Sequence, residues 1–162
     1  PPAPAGSGPD WRVGLSRWAW AEREALRRHP WIVRVPIGSP PLTPHQLGWL
    51  DAGLRCLDGI GLTEPEKMSV MLLLTSYVRN EALLTAQLLD AAQAAGREPG
   101  AVMPAYARLV ARLADPARFP ALHAVLASGA LDSDDDPDDE FTFGLDRLLD
   151  GVETLVRART AG

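Results

Sequence analysis

The sequence predicts an all-α protein, and three observations carry that expectation. Apolar residues recur at three- and four-residue steps along most of the chain, the spacing that gathers them on one face of a helix. Thr43, Pro44 and Gln46, and again Thr63, Pro65 and Glu66, combine a threonine cap, an early proline and a side chain that reaches back to the cap. From Glu66 onward neither proline nor glycine interrupts the chain until Gly96, so a helix or a kinked pair of about 30 residues is expected there.

In chain order, Pro1 to Pro9 is a proline, glycine and alanine tract that reads as an extended linker. Asp10 is placed to cap a first helix ending near His29-Pro30. Its inward stripe holds Trp11, Leu15, Trp18, Glu22, Ala25, Leu26 and His29. Glu22 and His29, two turns apart, are polar on a face expected to look inward, and buried charge demands a partner. Either an arginine such as Arg55 pairs with Glu22 and His29 caps the helix end, or both face a ligand. Val13 and Trp20 fall on the opposite, charged face, where an exposed tryptophan suits contact with another domain. The helix opened by Thr43 has two stripes, Leu47, Leu50, Leu54 and Leu57 on one side and His45, Trp49, Gly53, Cys56 and Ile60 on the other, so it is expected to be covered on both. For His45 and Trp49 a core role is the commoner one.

The long helix is apolar all round in its first half, which predicts a central place. Ser69, Ser76, Asn80 and Gln87 nevertheless share a narrow arc, interleaved with Leu72, Leu73 and Leu83. A buried polar row needs partners, whether other helices, water or a bound molecule; a mostly apolar pocket with a few fixed polar groups is how small-molecule sites are built. Pro99-Gly100 opens a helix with Val102, Tyr106, Leu109, Val110 and Leu113 inward; Met103 and Tyr106 border a pocket or fill core. Phe119 to Ser128 is a short amphipathic helix stopped by Gly129, and Asp132 to Glu140 an acidic loop. Pro137 and Phe143 stand where a calcium loop needs glycine and glutamate, which excludes that use of the alternating aspartates. The last helix carries Phe141, Leu145, Leu148, Leu149, Val152, Leu155 and Val156 on one face, flanked by Gly144 and Gly151 one heptad apart. Two glycines in a helix, each costing about 1 kcal/mol, suggest close approach of another backbone; a homodimer interface is favoured over a cap on the chain's own core.

Composition narrows the function. The 162 residues, 46% hydrophobic, suffice for one domain burying about 70% of its unfolded surface. A net charge of -5 argues against nucleic-acid binding by this chain itself, since phosphate needs a basic face. The lone Cys56 excludes an internal disulfide and fits the cytoplasm. No apolar run approaches the roughly 20 residues of a membrane helix, and the first ten residues lack the basic start and apolar centre of a signal peptide. Phosphate loop, hydrolase elbow and metal spacing are missing, so neither cofactor nor metal is expected.

The segments AEREALRRHPW, PPLTPHQLGWLDAGL, GLTEPEK, RFPALHAVLASG and EFTFGLDRLLDGVETLV, in that order, resemble the C-terminal ligand-binding and dimerisation domain of the tetracycline repressor (TetR) family of transcription regulators. The likeness runs from about Asp10 to Arg159 and is most specific in the last two segments. It implies a multi-helix ligand-binding bundle that dimerises through a four-helix bundle, with half of that bundle supplied by the Pro99 helix and the last one. It also implies a helix-turn-helix ahead of the linker, not found in this sequence, through which alone DNA would be bound. By position His29 resembles the histidine with which the tetracycline repressor contacts its drug. Ser76 stands near that repressor's metal-holding histidine, which makes metal-bound tetracycline an unfitting effector.

The expected ligand-binding residues are thus Trp18, Glu22, His29, Trp49, Leu72, Ser76, Asn80, Leu83 and Gln87; the expected dimer residues are Tyr106, Leu109, Gly144, Leu148, Gly151, Val152 and Leu155. The function expected is sensing of a small, mainly apolar effector by a soluble homodimer. Two other classes stand beside it: a helical interaction module with a filled core, and, less favoured, an enzyme using Glu22 and His29 as acid and base.

Overall fold

The computed structural model describes residues 11–35, 43–98, 101–131 and 136–160. Among them the ordered elements are helices: α1 (Trp11–Arg28), α2 (Trp31–Arg34), α3 (Pro44–Cys56), α4 (Glu64–Ala94), α5 (Val102–Leu113), α6 (Pro120–Ala127) and α7 (Pro137–Thr160). The expected linker, the Pro99-Gly100 start and residues 132–135 of the expected acidic loop lie outside the described residues, and the rest of that loop, from Pro137, is the start of α7.

Local chemistry sets the boundaries. At α3 the Thr43 hydroxyl accepts from the Gln46 main-chain N–H at 3.3 Å while the Gln46 side-chain Oε1 accepts from the Thr43 N–H at 3.2 Å, the reciprocal box the sequence predicts. At α4 the Glu66 carboxylate accepts from the Thr63 N–H at 2.8 Å. The long stretch from Glu64 is one helix. Gly96 and Gly129 hold positive φ, 61° and 74°, ending α4 and α6 where a side chain would be strained. The last helix starts four residues earlier than its apolar stripe, because Asp138, Asp139 and Glu140 form its first turn and acids favour a helix N-terminus.

The chain divides into two units. The first, residues 1–84 with 141–162, has a core of Leu15 and Trp18 from α1, Leu57 after α3, Met71, Leu74 and Val78 from α4, and Phe141, Leu145 and Leu149 from α7. Gly53 lets α3 lie against that core, since a Cβ there would sit 2.2 Å from Met71 Cε and 3.2 Å from Trp18 Cε2. The second unit, residues 85–140, holds the packed pair α5 and α6, and leaves Tyr106, Leu109 and Leu113 exposed along α5.

Trp20 departs from expectation. Its ring meets Phe141 edge-on at 4.8 Å and lies under the Arg23 guanidinium at 5.1 Å, so it is half-buried within the unit and not a free docking residue.

Candidate functional site

The inner face of α1 carries the chemistry. Trp18 is buried, donates its indole N–H to the Trp49 carbonyl at 2.8 Å and meets the Trp49 ring edge-on at 6.2 Å. Trp49 in turn donates its indole N–H to His45 Nε2 at 3.0 Å. One turn beyond Trp18 on the same face stands Glu22. Its Oε2 is sealed from solvent and has no hydrogen-bond partner. Burial pushes the carboxyl up to about 7, against the opposing pull of Arg79. Arg79 does not bond to it: Nη2 donates to the carbonyls of Ile32, Val33 and Val35 at 3.0, 3.4 and 2.7 Å. The arginine suggested as a partner, Arg55, pairs with Asp51 at 2.8 Å.

Beside Glu22 is a charged residue that sequence reasoning passed over. Arg23, 1% exposed, makes a two-pronged pair with Glu81, Nε to Oε2 at 3.0 Å and Nη2 to Oε1 at 3.1 Å, and stacks 4.5 Å over the Phe141 ring. One buried fork thereby joins α1, α4 and α7. The available signal was Glu81 itself, an acid between Val78 and Ala82 on an otherwise apolar stripe of α4. Outside it, Arg12 Nη2 reaches Asp150 at 2.8 Å and Asp146 at 3.3 Å on α7, with Nη1 3.6 Å from Glu153.

Of the nine residues expected to bind ligand, Trp18 and Trp49 meet, and Glu22 stands one turn after Trp18 on α1. Leu83 is half-buried on α4. His29 is exposed at the end of α1, and no hydrogen bond joins it to Glu22, so an acid and base pair is not assembled. Ser76, Asn80 and Gln87 are exposed, and Leu72 is 70% exposed. The polar row on α4 therefore looks outward, contrary to the buried position expected for it: α4 buries one side, that of Met71, Leu74, Val78 and Ala82, and apolar composition all round did not mean burial all round.

That uncovered side borders a groove of about 310 Å³ between α4 and α7, lined by Glu66, Ser69, Val70, Leu73, Arg147, Leu148, Gly151, Val152 and Leu155. Four of the expected dimer residues, Leu148, Gly151, Val152 and Leu155, fall here. The helix sharing the groove with α7 is α4, which the resemblance had not assigned to the bundle. The two glycines separate. A Cβ on Gly151 would meet nothing within 4 Å, whereas one on Gly144 would strike the Tyr77 hydroxyl at 2.3 Å, so the close approach at Gly144 comes from this chain's own tyrosine, whose hydroxyl donates to the Phe141 carbonyl at 3.0 Å. Tyr106 and Leu109 are exposed on α5 in the second unit.

Among the described residues no helix is long and apolar enough to cross a membrane. Residues 3–156 match the family model described as tetracyclin repressor-like, C-terminal domain. The chain is also 31% identical over 158 residues to the HTH-type transcriptional repressor DrrR1 of Streptomyces coeruleorubidus. That alignment covers 98% of this chain and 57% of the repressor.

Proposed function

Because the chain belongs to the tetracyclin repressor-like C-terminal domain family, we propose that it is the effector-sensing and pairing part of a cytoplasmic transcriptional regulator whose DNA contacts are made by a helix-turn-helix. The acidic balance of this chain, -5 overall, supports leaving phosphate contacts to such a segment. The observation that carries the pairing half is the outward face of α4 and α7. Leu72, Leu73 and Met68 are exposed there beside the groove of Leu148, Gly151 and Leu155, and the open space over Gly151 admits another backbone closely. A second copy of the chain is the occupant, since a two-fold axis along α7 would set Gly151 against its own counterpart and close a four-helix arrangement of α4 and α7.

The sensing half rests on the inner side of α1 and α3, where Trp18, Glu22 and Trp49 supply an apolar wall with one unsatisfied polar group. An effector that binds one arrangement of the paired chains more tightly than the other would shift the reach of the two DNA-binding segments.

Sedimentation equilibrium of the chain and of a Leu72→Glu, Leu148→Glu variant tests the pairing. The wild type is expected at the mass of two 17.4 kDa chains and the variant at one, with unchanged helix content because both leucines sit on the open face. A wild type that stays a single chain at the highest attainable concentration overturns it. A thermal-shift screen of hydrophobic compounds tests the sensing: a compound at about 100 times its Kd should add about 2.7 kcal/mol of stability.

A further inference from the structure

Glu22 is a largely buried acid whose Oε2 receives no hydrogen bond from the described residues, and Arg79 pulls on it electrostatically without bonding to it. Only one other sealed polar atom among them lacks a hydrogen bond, Arg12 Nη1, and its guanidinium already has three carboxylates within 2.8 to 3.6 Å. Donors on the same and neighbouring helices make their hydrogen bonds elsewhere. Arg79 gives Nη2 to three main-chain carbonyls, Trp18 gives its N–H to the Trp49 carbonyl, and Trp49 gives its own to His45. Arg23, the next residue along, is held by Glu81. An acid kept in this condition stabilises nothing in the chain alone, because an unpaired buried charge is unfavourable.

We propose that the effector carries a protonated amine on an apolar or aromatic body, and that Glu22 receives the ammonium while Trp18 and Trp49 face the body. This rests on the sensor reading above and adds the chemical class of its ligand. Three features select a cation. An ionised carboxylate can only accept, so the missing group is a donor; an ammonium supplies donors and cancels the charge together. Indole ring faces attract cations as well as apolar groups. An anionic ligand would add a second negative charge beside a carboxylate whose charged form burial already disfavours.

A proton signature follows. Arg79 on α4 is the charged group acting on Glu22; the side chains at hand on α1 and α3 are the uncharged Trp18 and Trp49, with His45 behind Trp49. The carboxyl, raised to about 7, must ionise to take up an ammonium. Affinity for an amine should therefore fall as pH drops, and be about tenfold weaker at pH 6 than at pH 8.

Isothermal titration of the 162-residue chain with three matched probes tests this: 4-phenylbutylamine, 4-phenylbutanol and 4-phenylbutyrate. The amine is expected to bind roughly ten- to hundredfold more tightly than the alcohol, and the carboxylate most weakly. Glu22→Gln should remove the preference for the amine while leaving the alcohol's affinity in place, and should flatten the pH profile; a slope that survives in Glu22→Gln counts against the proposal. The wild-type profile needs no variant and stands if Glu22→Gln folds poorly. Equal affinity for amine and alcohol, or a preference kept in Glu22→Gln, overturns the amine assignment and leaves the sensor intact. No binding by any of the three overturns the amine assignment, and the hydrophobic-compound screen then decides the sensor separately.

Discussion

Replacing Glu22 by glutamine should stabilise the chain, and the gain should depend on pH. Glu22 is raised from 4.5 to about 7 in the folded chain, with burial as the main cause. A carboxyl whose pKa is higher folded than unfolded is neutral to the fold while both states hold the proton and opposes the fold as pH rises past its unfolded value. The sign is therefore opposite to that of an ordinary ion-paired acid. Below pH 4.5 both states carry the proton and Glu22 is indifferent; between 4.5 and about 7 the unfolded chain loses its proton first, and above about 7 the full penalty is present. At about 1.4 kcal/mol for each pH unit, the penalty reaches about 3 kcal/mol. Glutamine has nearly the same shape and cannot ionise, so this dependence vanishes in the variant while every other titrating group is retained. Urea unfolding of both proteins from pH 4 to pH 8.5, extrapolated linearly to water, isolates the contribution of Glu22 as the difference between the two curves. That difference should be small and flat near pH 4, then grow in favour of glutamine by about 3 kcal/mol up to pH 8. A difference that stays level across the range would show that Glu22 has solvent or a partner after all, and both the penalty and the amine argument would fall with it.

Three further outcomes follow from the same geometry. Gly144→Ala should lose roughly 1 to 3 kcal/mol, because the Tyr77 ring must give up its place and its bond to the Phe141 carbonyl, whereas Gly151→Ala, with open space around it, should gain up to about 1 kcal/mol of helix propensity; urea unfolding of dilute, unpaired chain reads both, and equal effects would refute the distinction. Glu81→Ala strands the buried Arg23 guanidinium and should cost about 3 to 5 kcal/mol, while Arg23→Met combined with Glu81→Leu should recover most of that; a mild effect of the single change, seen as an unmoved denaturation midpoint, would mean that the fork contributes little. Glu66 is held down to about 2, first by the Thr63 N–H and then by Arg159. A lowered acid stabilises above its unfolded value and loses that effect as pH falls, so the stability advantage of wild type over Glu66→Gln should be full above pH 5 and shrink toward pH 2, as followed by circular dichroism.

The boundaries of the helices were legible because caps, prolines and glycines act locally. Thr43 with Gln46 and Thr63 with Glu66 make their bonds within one turn, and no distant residue can change that. What the sequence could not reveal is which side of an apolar helix meets its neighbours. The stripe of Ser69, Ser76, Asn80 and Gln87 was correctly aligned on one arc, yet it faces outward, because Met71, Leu74 and Val78 on the other side take the core. Trp20, assigned to an open face, is drawn in by Phe141, over a hundred positions away, and covered by Arg23 on its own helix. Glu22 stood out as a polar residue on an inward stripe. Its lack of a partner depends on where Arg79 and Arg55 go, and periodicity holds no information on that.

Arg79 binds the main chain at three places with one side chain. The segment from Ile32 to Val35 is consequently latched to the long helix by a single guanidinium, and it cannot slide by a fraction of an ångström without all three acceptors weakening together. Removing that one side chain would leave three main-chain carbonyls to find other donors at once.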